Sequence, residues 1–148
     1  MEAQTDFKDL LALFNKNKVE YLIVGAYALA FHGVPRFTGD MDILVKPCPE
    51  NAKKIIFSLK AFGFGSLGLV AADFEKAGQV IQLGVPPIRV DLITSLTGVS
   101  WEKAFSGKMP DHYGGVPVHY IGRKQLVVNK RKTKRPKDLA DLEALGEK

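Results

Sequence analysis

Apolar and polar positions along this chain follow two periods, about 3.6 and 2, and each change of period marks an element. Phe7, Leu10, Leu11 and Phe14 recur at i, i+3, i+4 and i+7, one face of a helix that Thr5 is placed to cap and that ends over Asn15 to Lys18. Tyr21 to Val24 reads as a short apolar strand. It breaks at Gly25 into an apolar helix, which Gly33 and Pro35 end, with Ala26, Ala28 and Ala30 allowing close packing. After Arg36 and Thr38 comes Asp40-Met41-Asp42 and a second apolar run, Ile43 to Val45, closed by Pro47 and Pro49. The next helix buries Ala52, Ile55, Ile56, Leu59 and Phe62 and stops at Gly63. Phe64 to Gly78 is glycine-punctuated and reads as a lid or a packed connector with at most one helical turn.

Two strands come next, Gln79 to Leu83 and Ile88 to Ile93, parted by Gly84 and Pro86-Pro87. Ser100 caps a helix containing Trp101, Ala104 and Phe105, which Gly107 ends. Met109 to Tyr113 and Val116 to Ile121 flank Gly114-Gly115, a hairpin signal. Arg123 to Lys132 forms a helix with Leu126 and Val127 inward. Pro136 starts a last helix that turns Leu139, Leu142 and Leu145 to the core and Asp138, Asp141 and Glu143 elsewhere.

The 148 residues suit a single domain, 1–148, with one core. An apolar share of 46% and a charged share of 25% are those of a soluble globular protein. The single cysteine, Cys48, has no partner for an internal disulfide, and the first residues lack the layout of a signal peptide. The most apolar window, Tyr21 to Val34, is too short to span a bilayer, so a cytoplasmic location without membrane contact is expected. The net charge of +5 is uneven: residues 122–137 hold eight Lys or Arg and no acid, leaving about −3 elsewhere. Eight cations in one segment call for a counter-charge, which a triphosphate or nucleic acid would supply.

Asp40 and Asp42 are two apart on a strand, so both point to one face while Met41 and Ile43 point to the other. Two carboxylates so close repel each other unless a cation lies between them, and oxygen ligands suit a hard ion such as Mg2+. The alternative is a polar strand end facing water. Upstream, a strand passing through Gly25 into a helix leaves backbone N–H groups where an anion can approach the main chain. Asp91 is an acid in the middle of an apolar strand, which costs free energy unless a metal or a salt bridge to a neighbouring strand compensates. His32 reads as a packed, hydrogen-bonded group with a substrate role open, and His112 and His119 as edge-strand residues.

The order strand, Gly25-Ala26, helix, Asp40-x-Asp42 resembles the signature of the DNA polymerase β nucleotidyltransferase superfamily. The stretch GAYALAFHGVPRFTGDMDILV is similar to its small bacterial members, a group that includes toxin-like nucleotidyltransferases, and NKRKTKRPKDLADLEAL resembles their C-terminal part. The resemblance implies an α/β (α+β) nucleotidyltransferase-like fold: a mixed, twisted sheet bearing the aspartates on one face, with helices packed on the other. It implies transfer of a nucleoside monophosphate from a nucleoside triphosphate to an acceptor. Asp40, Asp42 and Asp91 would be catalytic and hold two Mg2+ ions, with Mn2+ as a substitute. Gly25, Ala26, Arg36, Thr38 and Lys130 would bind nucleotide. Relatives commonly carry Gly-Ser or Gly-Gly at the turn, so with Ala26 only backbone donors remain.

The acceptor stays open among tRNA, protein and small molecule. One rival is a non-catalytic nucleotide- or partner-binding module of the same fold, paired with an antitoxin. Another is a nucleic-acid-binding protein that uses the basic C-terminal segment, with the acids structural.

Overall fold

The computed structural model describes residues 4–35, 39–85 and 88–147. Its elements run α1 (Thr5–Lys16), β1 (Tyr21–Val24), α2 (Gly25–Phe31), β2 (Asp40–Val45), α3 (Pro49–Phe62), β3 (Val80–Val85), β4 (Ile88–Ile93), α4 (Trp101–Ser106), β5 (Met109–Tyr113), β6 (Val116–Tyr120), α5 (Arg123–Thr133) and α6 (Pro136–Ala144). The strands form one mixed sheet in the order β3-β4-β2-β1-β6-β5. Neighbours are antiparallel except β2 beside β4 and β1 beside β6, which are parallel. No described helix is long and apolar enough to cross a membrane.

Alternation along the strands divides the sheet into two faces. Tyr21, Ile23, Met41, Ile43, Val45 and Leu92 share one face and are buried. There α1 and α3 pack, Phe14 of α1 meeting the Tyr21 ring at 5.7 Å, and Phe7, Leu10 and Phe62 sharing a cleft with Leu83 and Val90. The face of α1 is the Phe7, Leu10, Leu11, Phe14 stripe that the spacing predicts. In α3, Ala52, Ile55 and Leu59 are buried as read, together with two polar residues the periodicity passes over. Asn51 accepts from the Glu20 N–H at 2.8 Å and donates to the Glu20 and Lys46 carbonyls at 3.0 Å, tying together adjoining ends of β1 and β2.

The expected cap of α1 differs. Thr5 is the first helical residue, Gln4 precedes it, and no side chain caps the helix. A tertiary contact does comparable work, because the Gln4 N–H donates to the Tyr113 hydroxyl at 2.7 Å. Ser100 and Gly63 act as read, the Ser100 hydroxyl accepting from the Lys103 N–H at 3.2 Å. Phe64 to Gly78 holds two short 3-10 turns, Gly65–Leu67 and Ala71–Phe74, one more than the glycine-punctuated sequence leads one to expect. Phe74 is fully buried and the second turn packs on α3, so this end of the segment is a packed connector. Between β5 and β6, Gly114 (φ +56°) and Gly115 (φ +86°) supply the left-handed conformation that a two-residue hairpin demands.

The face of α6 is the clearest departure from the periodic reading. Leu139 is 54% exposed while Asp138 and Asp141 are buried. The cause lies on α5: the Lys130 ammonium donates to Asp141 at 2.8 Å and stands 3.6 Å from Asp138. Asp138 also accepts from Thr133 Oγ1 at 2.6 Å and from the Arg135 side chain and N–H at 2.8 and 3.1 Å. Leu142 is buried as read, and ion pairs join it in fastening α6 to α5. Removing one member of a buried pair strands the other, so Lys130→Ala should cost about 3–5 kcal/mol in denaturant unfolding. Leu139→Ser should stay within about 0.5 kcal/mol of wild type in the same measurement.

Candidate functional site

The second face of the sheet carries the acids. In register, Asp42 lies beside Asp91 and Val24, and Asp40 beside Arg89. The three predicted carboxylates therefore occupy adjoining positions on two central strands and share one face. At the head of this row, β1 passes into α2 through Gly25, whose φ of +65° is left-handed. A Cβ there would collide with the Asp42 carboxylate, so that carboxylate lies directly against the main chain of the turn. The position needs glycine twice over, for its backbone angle and for the approach of Asp42. Ala26 is the second residue of α2, a helix with no side-chain cap on its first N–H groups.

Arg89 organises the other end of the row. Its Nε and Nη2 donate to the two oxygens of Asp91 at 2.9 and 2.8 Å, and its Nη1 stands 4.0 Å from Asp40 Oδ2. The salt bridge considered for Asp91 thus exists, formed within its own strand rather than to a neighbouring one. Asp91 is only 8% exposed. The Asp42 carboxyl is pushed above its ordinary value, first by burial and then by the charges of Asp91 and Asp40, against which Lys137 and Arg89 pull it down. The Arg89 guanidinium is held more firmly protonated, chiefly by its hydrogen bond to Asp91.

The basic segment reaches this site through residues other than Lys130. Lys130 is buried in its ion pairs with Asp141 and Asp138. Lys137, near the start of α6, is the cation of this segment whose charge pulls Asp42 down, while Arg135 answers first to Asp138 and only last to Asp42. Burial would raise the Asp138 carboxyl, but the hydrogen bonds from Arg135 and Thr133 hold it well below the usual carboxylate range. Arg36 and Thr38 lie outside the described residues. His32 Nε2 is 2.7 Å from the Ile121 carbonyl oxygen and donates to it, in keeping with a packed role. His112 pairs in register with Pro117 and His119 with Pro110, so the two histidines are not opposite each other.

Beside the acids, Val80 and Ile93 sit one side-chain step along β3 and β4 from Gln82 and Asp91. They line a groove of about 670 Å³ with Asn129, Lys132, Thr133 and Arg135. A second cavity of about 450 Å³, near the far ends of β2 and β4 against Trp101, includes none of the acids. Sequence reasoning gave no site role to Arg89, and matched Arg135 and Lys137 to the C-terminal pattern of the resembling family while giving only Lys130 a nucleotide-binding role. The signal for Arg89 was present, since a base two residues before an acid on a strand shares its face.

Solved structures share this architecture. A Thermotoga maritima protein assigned as a nucleotidyltransferase matches with a TM-score of 0.56 at 16% identity, over 93% of this chain and 84% of its own. The antibiotic-resistance factor ANT(2'')-Ia, whose structure is known with adenylyl-2''-tobramycin, matches with a TM-score of 0.57 at 13% identity, over 94% and 84%. An antigenic nucleotidyltransferase-like protein from Paracoccidioides brasiliensis gives 0.55 at 16%, over 97% and 77%. At these identities the likeness is one of fold, and the chain has the nucleotidyltransferase fold. No protein-family model matches the sequence, and no curated protein matches it significantly.

The geometry yields two expected outcomes. Gly25→Ala should cost about 1–2 kcal/mol from its backbone angle when made in an Asp42→Ala background, and more when Asp42 is present. Urea unfolding of the four proteins in that cycle separates angle from collision. For Asp42, the raised folded-state pKa means that the ionised fold carries a penalty above that pKa, and the penalty is gone below 3.8, where the carboxyl is protonated folded or unfolded. Asp42→Asn in EDTA should therefore melt about 2–5 °C higher than wild type at pH 7.5, with the gain vanishing below pH 3.8.

Proposed function

We propose that this protein is a metal-dependent nucleotidyltransferase that moves a nucleoside monophosphate from a nucleoside triphosphate to an acceptor hydroxyl. The observation that carries the reading is the Asp42 carboxylate against the Gly25 turn, with Asp40 and Asp91 beside it on the sheet. A phosphate that approached the turn would then meet the carboxylate row at once. The three acids offer only oxygen donors, the chemistry a hard divalent ion needs, and a guanidinium already stands among them as a cation. Asp40, Asp42 and Asp91 would hold the ions. When bound, Mg2+ or Mn2+ would make the acceptor hydroxyl more acidic and offset charge on the phosphates.

The chain's own residues supply the rest. Gly25 lets the Asp42 carboxylate lie against the turn, and the uncapped first N–H groups of α2 would be the backbone donors for a phosphate oxygen. Lys137 brings positive charge to the carboxylate row where a triphosphate adds four negative ones. The acceptor oxygen forms a bond to the α-phosphorus, the bond from that phosphorus to the bridging oxygen breaks, and pyrophosphate leaves. The acceptor proton passes to Asp91. The groove beside Val80 and Ile93 lies on the β3 and β4 side of the row and Gly25 on the β1 side, which leaves the groove as the place for the acceptor. Its Lys132 and Arg135 favour a neutral or anionic acceptor over a polycation such as the tobramycin of ANT(2'')-Ia.

The test uses each α-labelled ribonucleoside triphosphate with Mg2+ and fractionated cell lysate, with label uptake as the readout. Transfer should appear with at least one triphosphate, cease in EDTA, and fall about 100-fold or more in Asp42→Asn, the scale of the several kcal/mol a Lewis-acid ion supplies. Transfer that persists in EDTA or in Asp42→Asn would refute the reading.

A further inference from the structure

The turn between β4 and α4 is fastened to α5 at two points. Asn129 Nδ2 donates to the Thr97 carbonyl at 2.9 Å. Further along α5, the stem of Lys132 lies against Gly98, so closely that a Cβ on Gly98 would collide with it. Gly98 has a φ of +80° and stands in the tight turn that the Leu96–Val99 bridge closes. The chain thus has glycine where α5 lays a lysine across the turn, and the aliphatic stem packs while the charged end stays in solvent.

Lys132 and Arg135 are the cations of the groove beside the acids. Arg135 uses Nε and Nη2 on Asp138, at 2.8 and 3.2 Å. The Lys132 ammonium makes no ion pair or hydrogen bond among the described residues. No described residue lining the groove is acidic. Ser95, also in the lining, accepts the Gly78 N–H at 2.9 Å, which leaves its hydroxyl proton to donate. At about 670 Å³ the groove has the size of a small-molecule site. Val80 and Ile93, which line it, share the face of the acids, and the next side-chain step along their strands, about 7 Å, is Gln82 and Asp91.

We propose that this groove binds a small hydroxyl compound bearing an oxyanion, phosphate or carboxylate, and that Lys132 is the residue that selects the anion. The inference rests on the nucleotidyltransferase reading above and narrows its acceptor, placing the anion at Lys132 and the hydroxyl toward the carboxylate row. A positioned, unmatched cation in a cleft without acids favours an anion. The apolar strip of Val80 and Ile93 takes a short carbon skeleton, and the row lies one side-chain step beyond it. A lysine that served only to pack against Gly98 would need its stem and not its charge. Lys132→Met keeps the first and removes the second.

The experiment follows amide 1H–15N spectra of the full chain, at constant near-physiological salt, during addition of glycerol 3-phosphate, glycerate and glycerol. The probes share a carbon skeleton and differ in charge. Glycerol 3-phosphate or glycerate should give saturable shifts at Thr97, Gly98, Asn129 and Lys132, the tighter of the two identifying the anion, and glycerol should give none. Lys132→Met should weaken that binding about 10-fold or more, and Lys132→Arg should stay within about 3-fold of wild type. With the lysate fraction that takes up label as acceptor, Lys132→Met should raise KM about 10-fold, more than it lowers kcat. Should Lys132→Met not fold, Lys132→Gln takes its place. Equal shifts with glycerol and the anions, no saturable shift with any probe, or anion binding unchanged in Lys132→Met would overturn the proposal. The nucleotidyltransferase reading would then still stand on its Asp42-dependent transfer. Anion binding at Lys132 without transfer from any triphosphate would uphold the anion site and remove its acceptor role together with that reading.

Discussion

A carboxylate buried beside two others raises the free energy of a fold unless positive charge is brought to the same place. Here the acids sit on β2 and β4, and the cations come from two distant parts of the chain: Arg89 on β4 and Lys137 near the start of α6. The C-terminal helices are accordingly more than a cover for apolar surface. Their junction delivers a cation to the row, and the groove beside Val80 and Ile93 lies between α5 and the sheet. The constraint also explains Gly25: the main chain can carry no side chain where the Asp42 carboxylate must lie against it.

Much of this was legible in the sequence because strands alternate. The placing of Asp40 and Asp42 on one face needed only the period of two and the strand limits, and β1 and β4 run over the residues that the apolar runs mark. Asp91 joined them only through the family resemblance, since its face depends on how β4 pairs with β2. The closeness of Gly25 to Asp42 was not legible in that way. It depends on β2 folding back antiparallel to β1 in the register that sets Val24 opposite Asp42, a tertiary choice that no local pattern states. Alternation puts Arg89 on the face of Asp91, but the pairing of the two within one strand depends on side-chain conformation, which no periodic pattern states.

The basic segment shows the same limit on counting. Eight cations in residues 122–137 read as unopposed when only that segment is considered. In the fold, Arg123 and Arg131 pair with Glu147, and Lys130 and Arg135 with Asp138 or Asp141. Half of the cluster is thus internal wiring that ties α5 and its junction with α6 to acids nearer the C-terminus. A helical wheel scores Asp138 and Asp141 as solvent-facing because it assigns no partner to them. Once Lys130 lies opposite, burial is the arrangement that leaves no charge unmatched.

The seam between β1 and β6 differs from the rest of the sheet. A single register pair, Ile23 with Tyr120, joins the strands there, supplemented by the Ile121 N–H to the Ile23 carbonyl at 3.0 Å. On its other side the β5–β6 hairpin is clasped by α1, through Gln4 to Tyr113 and through Asn15 to the Pro117 carbonyl at 2.6 Å. The hairpin is a local structure closing in about 1–10 μs, whereas β2 meets β4 only after more than forty intervening residues are in place. Assembly thus joins a quickly made ribbon to a slowly made four-stranded plate along one narrow edge. That edge is where native-state hydrogen exchange would first find the sheet parting, with α1 as the hinge that lets it go.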